Sequence, residues 1–315
     1  MKKLTRSEAA DFFKSQDRFL ILTHRRPDGD TLGSAAFLCR GLRKMGKTAH
    51  ILKNPEITEK YIPLHKGLTK ETPEVGDVLV CVDTASANML PQAFSHLQEE
   101  ITLRIDHHGS ATSFTKMELV EPETAACGEI LYGIMELLGV AMDEEMADSL
   151  YTAISTDTGC FRYANTTENT FRVASVCASV SKNLFALNQE LFETNSLAKL
   201  QIQGYLVENG IFLRDGQIAI CPLPKAVEEK FGATEDDLEN ISGFPRTIQG
   251  VKIAATLREE GERIKISVRA VPGYDAAAVC QKFGGGGHKG AAGANLALPM
   301  DEAVEAVKTA IEEIL

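Results

Sequence analysis

Tryptophan is absent from this chain of 315 residues, and aromatic residues make up only 6% of it. Wide stacking platforms for the bases of single-stranded nucleic acid are therefore not an obvious feature. Positive charge is also scarce: Lys and Arg number 33 against 44 Asp and Glu, a net charge of -11. That balance argues against a protein that tracks long nucleic acid, which needs a broad cationic face. A small anionic substrate at one local site remains allowed, particularly where metal ions bring the positive charge. No C-x-x-C pair occurs among the seven cysteines. Their odd count and scattered spacing fit a reducing, cytoplasmic setting. Cys81, in VLVCVD, and Cys177, in VASVCASV, read as small core residues. No apolar run approaches the roughly 18 residues of a membrane span, so no membrane partner is expected. The amino terminus, MKKLTRSEAADFFKSQ, lacks the continuous apolar stretch of a signal peptide. Thr5 and Glu8 instead have capping-box spacing for an amphipathic helix.

What is present suits a globular protein of two ordinary domains, with 44% hydrophobic and 24% charged residues. The first half alternates short apolar runs with helical patterns, the signature of an α/β sheet. RFLILT (18–23), DVLVCV (77–82) and ITLRI (101–105) read as buried strands, and DTLGSAAFLCRGLRKMG as a helix stopped near Gly46. Helices are expected over 124–139, 144–155 and 168–182, then a polar connecting helix from about 188 to 206. After Gly210 the pattern becomes hairpins: IFLRDGQIAI around Asp-Gly, and VKIAATLREEGERIKISVRAV around Glu-Glu-Gly. A helix at 275–282 runs into FGGGGHKGAAGA, and an acidic helix at 301–314 follows. The expected fold class is α/β. A doubly wound, mostly parallel sheet (1–185) and a smaller α+β domain (211–315) are joined by a helical linker (186–210).

Four places in the first half share one feature: an element ends and an acid or histidine appears. After strand 18–23 come His24, Asp28 and Asp30; after strand 77–82 comes Asp83; after strand 101–105 come Asp106, His107 and His108. At the end of helix 144–155 comes Asp157. Taken singly, each has a plain explanation: a capped turn at Asp28-Gly29-Asp30, a strand exit at Asp83, a turn around Gly159. Taken together they point to a ligand site, because open parallel sheets bind ligands outside the carboxyl ends of their strands. Asp28, Asp30, Asp83 and Asp157 would bring four negative charges into one place, where like charges repel. Two divalent cations would neutralise them. Oxygen and imidazole donors without thiolate suit Mn²⁺, Mg²⁺ or a similar ion rather than a structural zinc. A metal pair about 3.5–4 Å apart can activate a hydroxide and clamp a phosphoryl group.

The ordered series H-x-x-x-D-x-D, an Asp after a strand, D-H-H and a later Asp resembles the DHH phosphoesterase family. FGGGGHKGAAG, with SVRA before it, is similar to the carboxy-terminal domain associated with that family. Within the family, the length, the linker and the GGGGH form are most similar to bifunctional oligoribonucleases that also hydrolyse adenosine 3′,5′-bisphosphate (pAp). The resemblance implies one metal held by His24, Asp28 and Asp83, and a second held by Asp30, Asp83, His107 and Asp157. It makes Asp106 the residue that orients the histidines and His108 a phosphate contact and acid for the leaving oxygen. It places Arg269 on a nucleotide or terminal phosphate, where a guanidinium suits bidentate contact. Gly285, Gly286 and Gly287 can form a backbone nest for an anion beside His288. Arg162, followed by Tyr163, comes after the Asp157 loop and is a further candidate for the substrate site, while Arg258 and Arg263 read as solvated strand charges.

The implied substrates are oligoribonucleotides of a few residues and pAp. A phosphodiesterase for cyclic or linear dinucleotides such as cyclic di-AMP or pApA is the enzymatic alternative. A metal- and nucleotide-binding regulator is the non-enzymatic one, and a homodimer is among the assemblies left open.

Overall fold

The structure, a computed structural model, describes residues 1–109 and 112–314. Contacts divide it into two compact units, Met1–Thr194 and Asn195–Leu315.

The first unit is built on seven strands: β1 (Lys2–Lys3), β2 (Phe19–Leu22), β3 (Ala49–Leu52), β4 (Thr69–Lys70), β5 (Val78–Val82), β6 (Leu103–Asp106) and β7 (Met117–Val120). All its pairings are parallel, in the order β1-β7-β6-β5-β2-β3-β4. The helices are α1 (Arg6–Ser15), α2 (Gly29–Lys44), α3 (Cys127–Leu137), α4 (Glu144–Asp157), α5 (Glu168–Val180) and α6 (Leu184–Asn188). The capping box expected at Thr5 and Glu8 starts α1. Strands buried on both faces read as continuous apolar runs, which is why β2, β5 and β6 stand out in the sequence. Phe19, Ile21, Val80 and Val82 pack under the helices, while Leu20, Leu22, Leu79 and Cys81 face a cover of 3₁₀ turns carrying Phe94 and Leu97.

The topology sets the site. From β2 the chain steps outward through β3 and β4, then returns to place β5 on the other side of β2. The strand order therefore reverses between β2 and β5, and a crevice opens there at the carboxyl edge. Side by side at that edge lie the exits of β2, β5 and β6.

The segment expected as one connecting helix is broken. A single π-helical turn, Gln189–Glu193, continues α6 within the first unit. A new helix, α7 (Leu197–Glu208), then opens the second unit, with the Ser196 side chain accepting from Lys199 N–H. Polar composition hid the break, because Ser196 is as good a cap as it is a helix-surface residue.

The second unit is a mixed sheet of β8 (Ile211–Leu213), β9 (Ile218–Leu223), β10 (Ile253–Glu260), β11 (Arg263–Ala270), β12 (Gly286–His288) and β13 (Ala291–Leu296), in the order β12-β13-β11-β10-β9-β8. Its helices besides α7 are α8 (Lys225–Phe231), α9 (Ala276–Gln281) and α10 (Met300–Glu312). The two expected hairpins form as β8–β9 and β10–β11, whereas β9 and β10 pair in parallel. Among the described residues, no helix is long and apolar enough to cross a membrane.

Candidate metal centre

The turn after β2 does two jobs. Asp28 caps α2, its Oδ1 accepting from the amides of Asp30 and Thr31 at 3.1 Å each. The plain structural explanation for Asp28 is thus correct, and compatible with ligation through the rest of its half-exposed carboxylate. Asp30, in the first turn of α2, is sealed from solvent. Its carboxylate accepts from Ser34 Oγ at 2.9 Å, Cys127 N–H at 2.7 Å and Gly128 N–H at 3.2 Å. The last two belong to the amino end of α3, whose dipole favours an anion. Burial and the neighbouring Asp83 charge still hold the Asp30 carboxyl well above its usual range.

Asp83 leaves β5 with a left-handed backbone, φ +52°, a conformation uncommon outside Gly, Asn and Asp. The side chain is buried, and Oδ1 accepts no hydrogen bond among the described residues. His107 Nε2 stands 3.4 Å from it, and His24 Nε2 stands 3.6 Å from Oδ2.

The imidazoles are oriented from behind. His24 Nδ1 donates to the Arg25 carbonyl at 2.8 Å, and His107 Nδ1 donates to the Thr124 carbonyl at 3.2 Å. A carbonyl only accepts, so both rings carry hydrogen on Nδ1 and turn Nε2 toward the acids. From His107 Nε2, Asp157 Oδ2 lies 3.5 Å away and Asp30 Oδ2 3.7 Å away. Burial pushes the His107 pKa down, but the Asp83 carboxylate and the Asp30 and Asp157 charges outweigh it and raise the ring to about 10. Asp157 ends α4; burial and the Asp83 and Asp28 charges push its carboxyl up to about 7, against the opposing pull of His107.

Asp106 serves His108. Its Oδ1 accepts from His108 Nδ1 and from the His107 amide, both at 2.8 Å. That bond raises the His108 pKa and leaves Nε2 pointing outward on a half-buried ring.

Donor atoms of His24, Asp28 and Asp83 lie within 4.8 Å of one another, as do those of Asp30, His107 and Asp157. A third such group joins Asp83, His107 and His108. The donor set fits hard-to-borderline divalent cations: the buried Asp83 Oδ1 accepts no hydrogen bond among the described residues, and imidazole nitrogens lie about it. Such cations would neutralise the acids, and can activate water and polarise a phosphoryl oxygen.

Arg162 donates Nε–H to the Gly159 carbonyl at 2.6 Å, which ties the base of its guanidinium into the turn after Asp157. Arg269 lies half-buried on β11 and donates to the Val268 carbonyl at 3.1 Å. The glycine run is partly an edge strand, β12. A Cβ at Gly285 would sit 2.2 Å from the Gly293 carbonyl oxygen, and one at Gly287 2.6 Å from that of Ala291. Gly286 faces open space, so its missing side chain has no such internal cause. His288 is exposed. Arg258 is a correction: it is no solvated charge, because Glu228, Glu235 and Glu260 surround its guanidinium. Arg263 is exposed as expected.

Sequence reasoning missed several supports. Buried Asn54 donates to the His24 carbonyl at 2.8 Å and to Thr23 Oγ1 at 2.9 Å. Asn165 ties the Asp157 carbonyl to that of Ala125. Arg104 lies fully buried beside Asp106. Only Arg104 left a signal, as a charge inside the apolar run ITLRI.

A family model described as the DHH family, N-terminal domain, matches residues 18–154, and the DHHA1 domain matches 216–315. The chain is 33% identical over 298 residues to a Thermus thermophilus protein named bifunctional oligoribonuclease and PAP phosphatase NrnA, covering 94% of this chain and 89% of that one. A Bacillus subtilis protein of the same name is 26% identical over 285 residues, covering 89% and 90%. Among solved structures, an exopolyphosphatase-related protein from Bacteroides fragilis superposes with a TM-score of 0.88 at 25% identity, covering 98% of this chain and 95% of that one.

Proposed function

The chain belongs to the DHH family of phosphoesterases, and from that premise we propose that it hydrolyses very short oligoribonucleotides and pAp to mononucleotides. The observation that carries this reading is Asp83: one buried carboxylate shared between two groups of acids and imidazoles at the sheet's switch point. The names of the full-length relatives support the substrate class. His24, Asp28 and Asp83 would hold one divalent cation, and Asp30, Asp83, His107 and Asp157 the second, with manganese as the first candidate. When bound, the pair supplies an activated water and charge neutralisation at phosphorus.

The chain's own residues do the rest. Asp106 locks the His108 ring so that Nε2 can give a proton to the departing oxygen. The amides of α3 hold Asp30 in place, and the carbonyls of Arg25 and Thr124 keep His24 and His107 in the ligating tautomer. Residues 1–185 would carry the reaction, with 186–210 as connector. Residues 211–315 would bind substrate phosphate through Arg269, the Gly285–Gly287 backbone and His288, and Arg162 is a candidate substrate contact within the first unit. Phosphate contacts of this kind suit a short anion better than a long strand on a chain of net charge -11.

The test is one panel: purified protein with Mn²⁺ or Mg²⁺, offered pAp, di- to pentaribonucleotides, cyclic di-AMP and pyrophosphate. Turnover of pAp and the shortest oligoribonucleotides is expected. Activity confined to cyclic di-AMP or to pyrophosphate would replace the reading, and no turnover of any of them would end it.

A further inference from the structure

Among the described residues Arg104 is the largest side chain closed off from solvent, yet nothing in the reaction described above calls on it. It stands two residues before Asp106 on β6, so strand alternation puts both side chains on the same face. Its register partner on β7 is Glu118, which takes Nη2–H at 2.5 Å. Nη1 points the other way, to the carbonyls of Ala85 at 2.9 Å, Thr112 at 3.3 Å and Thr84 at 3.4 Å. Nη1 also lies 3.6 Å from Asp106 Oδ2, an oxygen that accepts no hydrogen bond among the described residues. The ring of Phe114 stacks 5.3 Å from the guanidinium carbon.

These partners are not scattered through the core. Thr84 and Ala85 directly follow Asp83, and Thr112 lies on the return from His107 and His108 toward β7. Thr112 N–H bonds the Ala85 carbonyl at 2.8 Å, so the two segments are laced together at the same point. Asp83 sits in a left-handed conformation that persists only where its surroundings enforce it. A rigid planar fork can do that in two directions at once, Nη2 toward Glu118 and Nη1 toward the carbonyls, a fixed spread that a compact ammonium on a flexible stem lacks. Burying a guanidinium is costly, and an apolar pair would fill the same volume more cheaply.

We propose that Arg104 is a positioning residue: by clamping the 83–85 turn to the segment that carries His107 and His108, it sets the distance between Asp83 and both imidazoles. The proposal rests on reading this site as a metal-dependent phosphoesterase, and its test separates the two.

Two variants of the full chain are compared with the parent. Arg104→Lys keeps the charge and loses the fork. The double variant Arg104→Met with Glu118→Met removes the Arg104–Glu118 pair together, so Glu118 is not left stranded. Melting temperature without metal, Mn²⁺ affinity by calorimetry, and kcat and KM on pAp are measured for each. The double variant is expected to fold but to melt below the parent, since the Thr84 and Thr112 carbonyls lose their donor, and Mn²⁺ affinity or kcat should fall about 10- to 100-fold, the usual loss when support behind a ligand is removed. KM should change less than about threefold, because no substrate contact is lost. A folded double variant with parental kcat and Mn²⁺ affinity overturns the proposal. Should that variant fail to fold, parental values in Arg104→Lys overturn it instead. If the parent hydrolyses none of the phosphate esters, the functional reading fails, while the Mn²⁺ affinities still decide what Arg104 does.

Discussion

Gly33 lets α2 meet α4 backbone to backbone: a Cβ there would stand 2.5 Å from the Ser149 carbonyl oxygen and 2.7 Å from the Ala153 amide nitrogen. One turn earlier, Gly29 leaves the same kind of space for Thr156. This crossing is what allows Asp30, near the start of α2, and Asp157, at the end of α4, to reach the same nitrogen of His107. Gly33→Ala must push backbone away from backbone, since no flexible side chain is there to yield. It should cost about 1–3 kcal/mol of stability, the usual range for overpacking, and weaken Mn²⁺ binding with it. Thermal melts and calorimetric titration of the purified variant check both.

Asp157→Ala should abolish useful turnover on every phosphate ester the parent accepts, by at least about 100-fold in kcat. Its metal-free melting temperature should not fall, because the carboxylate removed is one its neighbours repel. Near-parental rates with added Mn²⁺ would contradict its place in the cage.

Without metal, the protein should lose stability as pH rises. The His107 ring is raised to about 10 in the fold from an ordinary 6.5, so its contribution is complete below about 6.5 and disappears as pH climbs through 10. The Asp157 carboxyl, raised to about 7 from 3.8, acts in the same direction, since its charged form is disfavoured in the fold. Melts from pH 6 to pH 9 should therefore decline in chelator. Saturating Mn²⁺ should flatten or reverse the trend, because the cations replace those protons and bind more tightly as they leave.

Arg269→Ala should raise KM for pAp more than it lowers kcat, as expected when a uniform phosphate contact is removed. An unchanged KM with a collapsed kcat would place that guanidinium at the reacting phosphorus instead.

The strands that build the crevice were legible because a buried parallel strand is an unbroken apolar run, as in FLIL and VLVCV. β1, β4 and β7 were not, since KK, TK and MELV are strands only because a neighbour offers them a ladder. The site acids and histidines showed themselves by falling at element ends. Their supports did not, because the α3 amides and the Thr124 carbonyl are backbone atoms that any residue would supply. The glycine run illustrates the same limit. Its composition suggested an anion nest, while close approach to β13 already accounts for Gly285 and Gly287.

The positive φ at Asp83 has a practical consequence for trapping complexes. Asparagine shares aspartate's tolerance of that backbone shape and nearly its outline, whereas alanine or glutamate would bring conformational penalty along with the chemical change. Asp83→Asn is therefore the substitution to choose for a silenced enzyme that keeps its shape and can be crystallised with an uncleaved nucleotide.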